Sequence, residues 1–391
     1  MTEWKTYKLG DIADIQTGPF GSQLHNKDYA LVGSPIVTVE HLGNRHFTTQ
    51  NLPLVSDTDK ARLSKYILSE GDIVFSRVGS VDRCSYVSDK EVGWLFSGRC
   101  LRVRCNRDVY PLYIYYYFCL GSVKQYIRNV AVGATMPSIN TQIMSEIPIS
   151  LPSLEEQRRI AGILGAIDDK IENNRRINAN LELQAQVLYK QWFVDNRSDD
   201  WVKIKLGEII EISKKSITLS QFGNTIFEHY SLPAYDDGEQ PTFDRGQDIK
   251  SSKFVIGHGM FLFSKLNPRI KRIWLPDIGT KHAICSTEFI PYKPKEEAML
   301  GFCYSIVNSE HFYEYVLSLT NGSTGSHQRF HPIDTLEYSL YIPSESYIGT
   351  FEDLVMPMYK EILRNRKENR RLATLRDTLL PKLMNGEIKT E

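Results

Sequence analysis

Three short stretches of the first half of the chain return in the second half, and this repetition decides the fold. Trp4-Lys5-Thr6-Tyr7-Lys8-Leu9-Gly10-Asp11-Ile12 returns as Trp201-Val202-Lys203-Ile204-Lys205-Leu206-Gly207-Glu208-Ile209. Gly71-Asp72-Ile73-Val74-Phe75-Ser76-Arg77 returns as Gly259-Met260-Phe261-Leu262-Phe263-Ser264-Lys265, and Ile147-Pro148-Ile149-Ser150-Leu151-Pro152 returns loosely as Tyr338-Ser339-Leu340-Tyr341-Ile342-Pro343. The spacing is far longer than the 20–50 residues of a solenoid unit, so it predicts two related domains rather than a repeat array.

Composition sets the outer limits of the interpretation. The 391 residues are 41% hydrophobic and 24% charged with a net charge of zero, which is typical of a globular protein with two or three domains. Zero net charge argues against a uniformly basic nucleic-acid binder but leaves room for local basic stripes. The longest apolar run, residues 111–120, is too short to cross a membrane, and no secretory signal is visible. Because the six cysteines form no C-x-x-C pair, we expect reduced thiols in a cytoplasmic protein without a membrane partner.

The two repeated regions have the sequence pattern of α+β domains. Residues 1–152 alternate short β-like runs with Gly, Asn, Ser and Pro breaks, and contain one helix-like stretch at residues 111–130. Residues 197–343 have the same pattern, with a helix-like stretch at residues 298–319. We therefore predict two duplicated α+β domains.

Each domain is followed by a segment with a heptad pattern, at residues 153–196 and 344–391. Ser153-Leu154-Glu155-Glu156 is a capping box that predicts a helix start. From there, steps of four and three residues connect a seam of Ile160, Leu164, Ile167, Ile171, Asn174, Asn178, Leu181, Ala185, Leu188 and Trp192. The second seam is Phe351, Val355, Met358, Ile362, Asn365, Asn369, Leu372, Arg376, Leu379 and Leu383.

The matching asparagines in the two seams favour helices that pack on each other over two independent amphipathic helices. Buried asparagines in such a seam cost stability but fix register, which is the role we predict for Asn174, Asn178, Asn365 and Asn369. Only an antiparallel arrangement places the two asparagine pairs opposite each other while the domains move to opposite ends. We therefore predict that the two long helices form an antiparallel coiled coil that separates the domains.

Motifs for catalysis are missing from the sequence. There is no Gly-Lys-Ser/Thr phosphate loop and no G-x-G-x-x-G after a strand. Asn267-Pro268-Arg269-Ile270 lacks the second proline and the aromatic residue of the amino-methyltransferase motif. A self-contained methyltransferase or nuclease would need a cofactor loop or an acidic metal cluster, so we predict a non-catalytic chain without a bound cofactor or metal.

Polar, glycine-containing loops recur in both halves and are the candidate DNA contacts. Glycine lets the backbone approach a phosphate, and Arg, Asn and Gln can form paired hydrogen bonds with base edges. Any one loop is better explained as a solvated turn, but a coiled-coil protein without a DNA role would not explain their recurrence in both halves. In the first half the candidates are Gly18, Phe20, Gly21, Ser22, Gln23, Arg77, Ser80, Arg83, Arg102, Arg104, Thr135, Ser138 and Asn140. In the second half they are Lys214, Lys215, Lys265, Asn267, Arg269, Lys271, Arg272, Thr324, Ser326, His327, Gln328 and Arg329.

These motifs together resemble the specificity subunits of type I restriction–modification systems. The resemblance rests on Lys-Leu-Gly-Asp/Glu-Ile at each domain start, on residues 71–77 and 147–160, and on the helical segments 169–195 and 372–388. It covers the whole chain, and the two helical motifs are specific.

The resemblance implies two target recognition domains, residues 1–152 and 197–343, that each read one half of a split sequence in double-stranded DNA. It implies that the two helical segments are conserved spacers on which two modification subunits dock. Those subunits would bring S-adenosylmethionine for adenine methylation, and restriction subunits would bring ATP and Mg²⁺. The specificity subunit of a fused methyltransferase–nuclease system is the alternative that the resemblance leaves open.

Overall fold

We analysed a computed structural model, which describes residues 4–19, 21, 23–25, 28–43, 45–320 and 330–390. The chain divides into two compact units, Met1–Lys170 with Leu372–Glu391, and Ile171–Arg371. This partition differs from the four consecutive segments that the sequence predicts, because part of each long helix belongs to each unit.

Unit 1 is an α+β unit with ten strands and five short helices among its described residues. Its strands are β1 (Lys5–Lys8), β2 (Ala13–Thr17), β3 (Tyr29–Ala30), β4 (Ser34–Val37), β5 (Leu54–Val55), β6 (Ile73–Ser76), β7 (Cys84–Tyr86), β8 (Leu95–Phe96), β9 (Cys100–Cys105) and β10 (Pro148–Leu151). Its short helices are α1 (Leu9–Ile12), α2 (Asp57–Arg62), α3 (Pro111–Cys119), α4 (Gly121–Val130) and α5 (Thr141–Ser145).

Three sheets organise unit 1. The central sheet has the order β2-β9-β6-β7, all antiparallel, and a second sheet has the order β3-β5-β4-β8. Strands β1 and β10 pair separately and bring the start of the domain to its end, with Lys5 opposite Leu151. One face of the central sheet packs on α3, and its other face contributes Val74 and Cys100 to the core of the second sheet.

Unit 2 repeats this plan. Its strands are β11 (Val202–Lys205), β12 (Ile210–Ile212), β13 (Ser216–Ile217), β14 (Ile226–Tyr230), β15 (Thr242–Arg245), β16 (Lys253–Val255), β17 (Phe261–Ser264), β18 (Ile273–Trp274), β19 (Ala283–Ser286), β20 (Phe289–Pro294) and β21 (Ser339–Ile342). The short helices of unit 2 are α7 (Leu232–Asp236), α8 (Leu300–Asn308) and α9 (Glu310–Ser318). The two long helices are α6 (Leu154–Tyr189), which follows β10, and α10 (Glu345–Met384), which follows β21.

The duplication is visible in the strand order itself. The sheet β12-β20-β17-β18 of unit 2 matches the sheet β2-β9-β6-β7 of unit 1, and β11 pairs with β21 as β1 pairs with β10. The second sheets differ, since unit 2 has the five-stranded order β13-β16-β19-β14-β15. The predicted α+β fold with two related domains is therefore confirmed.

Each helix-like stretch of the sequence is in fact a pair of short helices. Leu120 has an extended backbone (φ −58°, ψ 133°) and separates α3 from α4. In unit 2, Ser309 separates α8 from α9 and caps α9, because its side chain accepts a hydrogen bond from the Phe312 amide. Apolar composition predicts that these segments are buried helices, but the sharp turn between them is set by the two linking residues.

The long helices pair antiparallel in both units, as predicted. In unit 2, Asn174 Nδ2 lies 2.9 Å from Asn369 Oδ1, and Asn365 Nδ2 lies 2.9 Å from Asn178 Oδ1. Partner numbers fall on one helix as they rise on the other, which defines the antiparallel direction. In unit 1, the seam position Arg376 is not apolar but forms an ion pair of 2.8 Å with Asp168.

Helix α6 begins where the capping box predicts, since the Glu156 amide donates to Ser153 Oγ at 3.3 Å. Its end continues as a turn of π-helix, Lys190–Asp195. Among the described residues, no helix is both long enough and apolar enough to cross a membrane.

Candidate nucleic-acid interface

In unit 1, antiparallel pairing brings several polar loops to one edge of the central sheet. Strands β2 and β6 end at this edge, and their neighbours β9 and β7 begin there. The Arg77 amide donates to the Arg99 carbonyl at 2.8 Å, and Arg77 Nη1 donates to the Gly98 carbonyl at 3.1 Å. We call the loops 77–83, 97–99 and 131–140 the first basic edge.

The loop at residues 131–140 joins this edge through the backbone. The Gly79 amide donates to the Pro137 carbonyl at 2.8 Å, and the Ile139 amide donates to the Arg77 carbonyl at 2.9 Å. Gly79 has a φ of +73°, a left-handed conformation that glycine adopts without strain. Two loops that are distant in sequence are therefore held side by side, as a joint DNA surface would require.

Four of the predicted contact residues are accessible on this edge. Ser80, Arg83 and Thr135 are exposed, and Arg77 is half-buried. Arg83 also donates to the Leu42 carbonyl, a partly buried contact that engages one end of its guanidinium group. Ser138 is less available, because its hydroxyl donates to the Val132 carbonyl at 3.1 Å.

Arg102 and Arg104 share a strand face as predicted, but their guanidinium groups have structural partners. Arg102 is 4% exposed and lies 2.6 Å from Asp14 Oδ2. Arg104 donates to both carboxylate oxygens of Asp72, each at 2.7 Å, and Asp72 is only 1% exposed. A DNA contact would require both pairs to break and would leave Asp72 buried without its cation, which is costly. We therefore remove both arginines from the candidate interface.

Other predicted residues of unit 1 have structural roles. A Cβ at Gly18 would lie 2.1 Å from the Ser97 carbonyl oxygen, so only glycine fits there. Gln23 accepts a hydrogen bond from the Tyr66 hydroxyl at 2.7 Å, and Asn140 caps α5 by accepting from the Ile143 amide at 2.8 Å. Gly21 is exposed. Phe20 and Ser22 lie outside the described residues.

Arg99 is an edge residue that the sequence interpretation missed. It is exposed and directly precedes β9, between the ends of β2 and β6. Its place depends on the register of three strands that are distant in sequence. The signal in the sequence is a basic residue just before a β-like run. Because that run also contains Arg102 and Arg104, the sequence alone does not single out Arg99.

Unit 2 has an equivalent edge, at the same ends of the corresponding strands. Ser264 lies opposite Phe289 as Ser76 lies opposite Cys100, so Lys265 is the register counterpart of Arg77. Phe263 lies opposite Ile273 as Phe75 lies opposite Cys84, so Arg272 is the counterpart of Arg83. We call residues 213–215, 265–272 and 288 the second basic edge.

The cations of the second basic edge divide into accessible and engaged groups. Lys214, Lys215 and Arg269 are exposed, and Lys265 is half-buried. Asn267 has a φ of +48°, a left-handed conformation that asparagine tolerates better than most residues, and it shapes the loop between β17 and β18.

Lys271 and Arg272 are tied to the rest of unit 2. Arg272 donates to both carboxylate oxygens of Asp236, at 2.7 and 2.9 Å. Lys271 donates to the Asn308 carbonyl, and burial lowers the pKa of its ammonium group. We remove both from the candidate interface. Thr324, Ser326, His327, Gln328 and Arg329 lie outside the described residues.

Glu288 occupies the place in unit 2 that Arg99 occupies in unit 1. It directly precedes β20, and its carbonyl accepts a hydrogen bond from the Lys265 amide at 2.9 Å. The two edges therefore share their strand frame but differ in charge at this position. A carboxylate can accept a hydrogen bond from cytosine N4, whereas arginine suits guanine or phosphate.

The described residues hold no cluster of His, Cys, Asp and Glu side chains that could bind a metal ion, and all six cysteines are free thiols.

Comparison with known proteins finds similarity to type I specificity subunits. Residues 1–183 match the family model of the type I restriction modification DNA specificity domain. The specificity subunit of the type I restriction enzyme MjaIX of Methanocaldococcus jannaschii is 25% identical over 100% of this chain and 94% of its own length. The HindI specificity subunit of Haemophilus influenzae is 23% identical over 99% of this chain and 100% of its own. Together these matches indicate a type I restriction–modification specificity subunit.

The fold agrees with this assignment. The crystal structure of a type I S subunit from M. genitalium superimposes with a TM-score of 0.62 at 15% identity, and covers 98% of this chain and 96% of the other. The matches indicate a DNA specificity subunit of a type I system, which is its non-catalytic DNA-recognition component, and not the specificity chain of a fused system. DNA and the methyltransferase and restriction subunits are the partners that these matches imply in general terms.

Proposed function

We propose that this specificity subunit reads a bipartite DNA target, with each basic edge contacting one half. The observation that carries the proposal is the register equivalence of Arg77 and Lys265, which places a cation at the same strand end of both units. A repeated DNA-contacting surface explains this recurrence, since an isolated surface cation has no reason to return at an equivalent site.

The accessible residues of each edge suit two different roles. Arg77, Arg83 and Arg99 in unit 1 can neutralise phosphates or form paired hydrogen bonds with guanine. Ser80 and Thr135 lie in the same loops and can donate to phosphate oxygens. Because the net charge of the whole chain is zero, attraction to DNA has to come from such local groups.

The second edge combines cations with a carboxylate. Lys214, Lys215, Lys265 and Arg269 supply phosphate contacts, while Glu288 gives this edge a negative charge where the first edge has Arg99. We infer that the two half-sites differ in sequence, because the two edges differ at the Arg99 and Glu288 positions.

We propose that the paired helices α6 and α10 fix the spacing of the half-sites and carry the docking surfaces of two modification subunits. The buried hydrogen bond between Asn174 and Asn369 and the partly buried one between Asn365 and Asn178 support this role, because they allow one helix register. Adenine methylation with S-adenosylmethionine would then belong to the modification subunits, and ATP with Mg²⁺ to the restriction subunits. This chain needs no cofactor of its own for the proposed role.

A domain exchange tests the proposal. Residues 1–152, which end just before the Ser153 helix cap, are replaced by the same region of another type I specificity subunit, and the methylome of a host with the assembled system is sequenced. We expect one new half-site, one unchanged half-site and the same spacer. The reciprocal exchange of residues 197–343 is the matched control and should change the other half-site. If either exchange alters both half-sites, the units do not read DNA independently.

A further inference from the structure

A cavity of about 280 Å³ opens at the second basic edge. Its apolar walls include Phe254, Phe289 and Pro291. Ser213, the first residue after β12, also lines it. Lys214 and Lys265 line the same cavity. The cavity is thus an apolar pocket inside the surface that we propose to face DNA.

The two lysines stand on opposite sides of the pocket. Lys214 follows β12 and Lys265 follows β17, and these strands flank β20 in the sheet. Two strand spacings of about 4.8 Å place their backbones roughly 10 Å apart. No Asp or Glu is among the described residues that line the cavity. An apolar slot between two cations matches a planar group that carries an anion on each side.

The two units share their central sheet but differ in the residue that lines this pocket. Pro291 lies opposite Leu262 as Arg102 lies opposite Val74, so Pro291 is the register counterpart of Arg102. In unit 1 the Arg102 side chain is buried, with its guanidinium carbon 6.0 Å from the centre of the Phe96 ring. Proline cannot reach across in this way, so unit 2 has no long side chain at this position.

We propose that the pocket of unit 2 receives one unstacked nucleobase of the bound DNA, with the two flanking phosphates at Lys214 and Lys265. The base would pack on Phe254, Phe289 and Pro291, because nucleobases stack on aromatic and apolar side chains. The volume lies just below the range of about 300–1,000 Å³ that drug-sized ligands occupy, which fits a group the size of a base. The inference rests on the proposed function, because it needs the second basic edge to face DNA.

The test compares a fully paired duplex with the same duplex carrying one unpaired thymidine at its centre. Binding of the full-length chain to each is measured by fluorescence anisotropy at low salt. A base that is already unpaired spares the protein the cost of unstacking it, so we expect the bulged duplex to bind tighter by on the order of tenfold. Equal affinity for the two duplexes, or no binding to either, overturns the inference.

Variants locate the effect at the pocket. Ser213→Phe fills the cavity and should abolish the preference for the bulged duplex. Ile333→Glu places a carboxylate at the rim of the pocket and should also abolish the preference. Because Ile333 is 58% exposed, this change should not disturb the core. Lys295→Gln is the matched control, because Lys295 is exposed at the opposite end of β20 and should leave the preference intact. A preference that survives both Ser213→Phe and Ile333→Glu overturns the inference.

The outcomes separate this inference from the proposed function. If the domain exchange changes one half-site while the bulged duplex has no advantage, the basic edges read DNA and only the pocket assignment fails. If the exchange leaves both half-sites unchanged, the proposed function fails whatever the pocket binds.

Discussion

Replacing Asn174 by leucine is expected to destabilise unit 2, whereas replacing Asn174 and Asn369 together is not. Asn174 is fully buried and donates to Asn369 Oδ1 at 2.9 Å and to Glu368 Oε2 at 2.8 Å. Leucine at residue 174 would leave Asn369 Oδ1 without its hydrogen-bond donor, and Asn369 is only 7% exposed. An orphaned buried polar group costs about 1–3 kcal/mol, and the additional apolar area of leucine offsets only part of this cost.

The double replacement removes both amides and gives two apolar residues that face each other. Glu368 also loses the Asn174 donor, but it is half-buried and water can reach it. Replacing both partners of a buried hydrogen bond by apolar groups of similar shape is close to neutral or stabilising. The two changes should therefore not be additive, with a coupling energy of about 1–3 kcal/mol.

Calorimetry of the full chain measures this by following the transition of Ile171–Arg371. For a unit of 150–250 residues, 1 kcal/mol shifts the melting temperature by about 2–4 °C. A net loss of about 1–2 kcal/mol, after the apolar offset, should make the single variant melt roughly 2–8 °C lower. Asn173→Leu is the control, because Asn173 is exposed on the same helix and should shift the transition little. A single variant as stable as the wild type, or a double variant no more stable than the single, would refute the reasoning.

The double variant should also change DNA recognition. The asparagine contacts allow one register of the helices, and leucines would pack in more than one. Methylome sequencing should then show less strict spacing between the half-sites, with both half-site sequences unchanged. The pairing of Asn174 with Asn369, and not with Asn365, decides which residues must be changed together.

Three further predictions concern the edges and the packing of each unit. Arg77→Ala and Lys265→Ala should each lower the slope of log affinity against log salt by about one in the assembled methyltransferase, and an unchanged slope would mean that neither touches phosphate. Arg102→Leu should lower the melting temperature of unit 1 while the methylation motif stays the same, because its partner is Asp14 and not DNA; a changed motif with an unchanged melting temperature would contradict this. Burial raises the pKa of Glu352 to about 6, whereas the pKa in the unfolded chain is near 4.5, so the folded state holds this proton more tightly. The protonated carboxyl therefore contributes stability below pH 4.5, and this contribution is lost as the pH rises through 6. Glu352→Gln should flatten this part of the stability curve in denaturant titrations from pH 4 to 7, and an equally steep decline in the variant would rule the assignment out.

Much of the architecture could be predicted from the sequence, because the patterns that encode it are local. The capping box at Ser153 and the heptad steps are properties of neighbouring residues, and helix α6 begins where they predict. The repeated motifs at Trp4 and Trp201 indicate the duplication, because both copies begin a strand that pairs with the end of its own domain. The asparagine positions in the seams predict antiparallel pairing, since only that direction brings the two pairs together.

The candidate site could be predicted only in part. Sequence spacing identified the loops that contain Arg77 and Lys265, and strand register places these two residues at equivalent strand ends. Sequence spacing could not distinguish the accessible arginines from those whose guanidinium groups already bind a carboxylate of the protein. Arg102 is buried against Asp14 and Arg99 is exposed, although the two residues lie three apart in the chain.

By itself, the sequence determined the two long helices, their antiparallel seam, the duplicated α+β domains and the resemblance to type I specificity subunits. Only the tertiary structure decided which side chains are available for DNA and where the pocket lies. The physical reason is that helix periodicity is set within a few turns of chain, whereas ion pairs and cavities depend on contacts between distant segments. Asp14 and Arg102 meet across two strands of a sheet, and the pocket of unit 2 is lined by Pro291, which stands at the register position of that arginine.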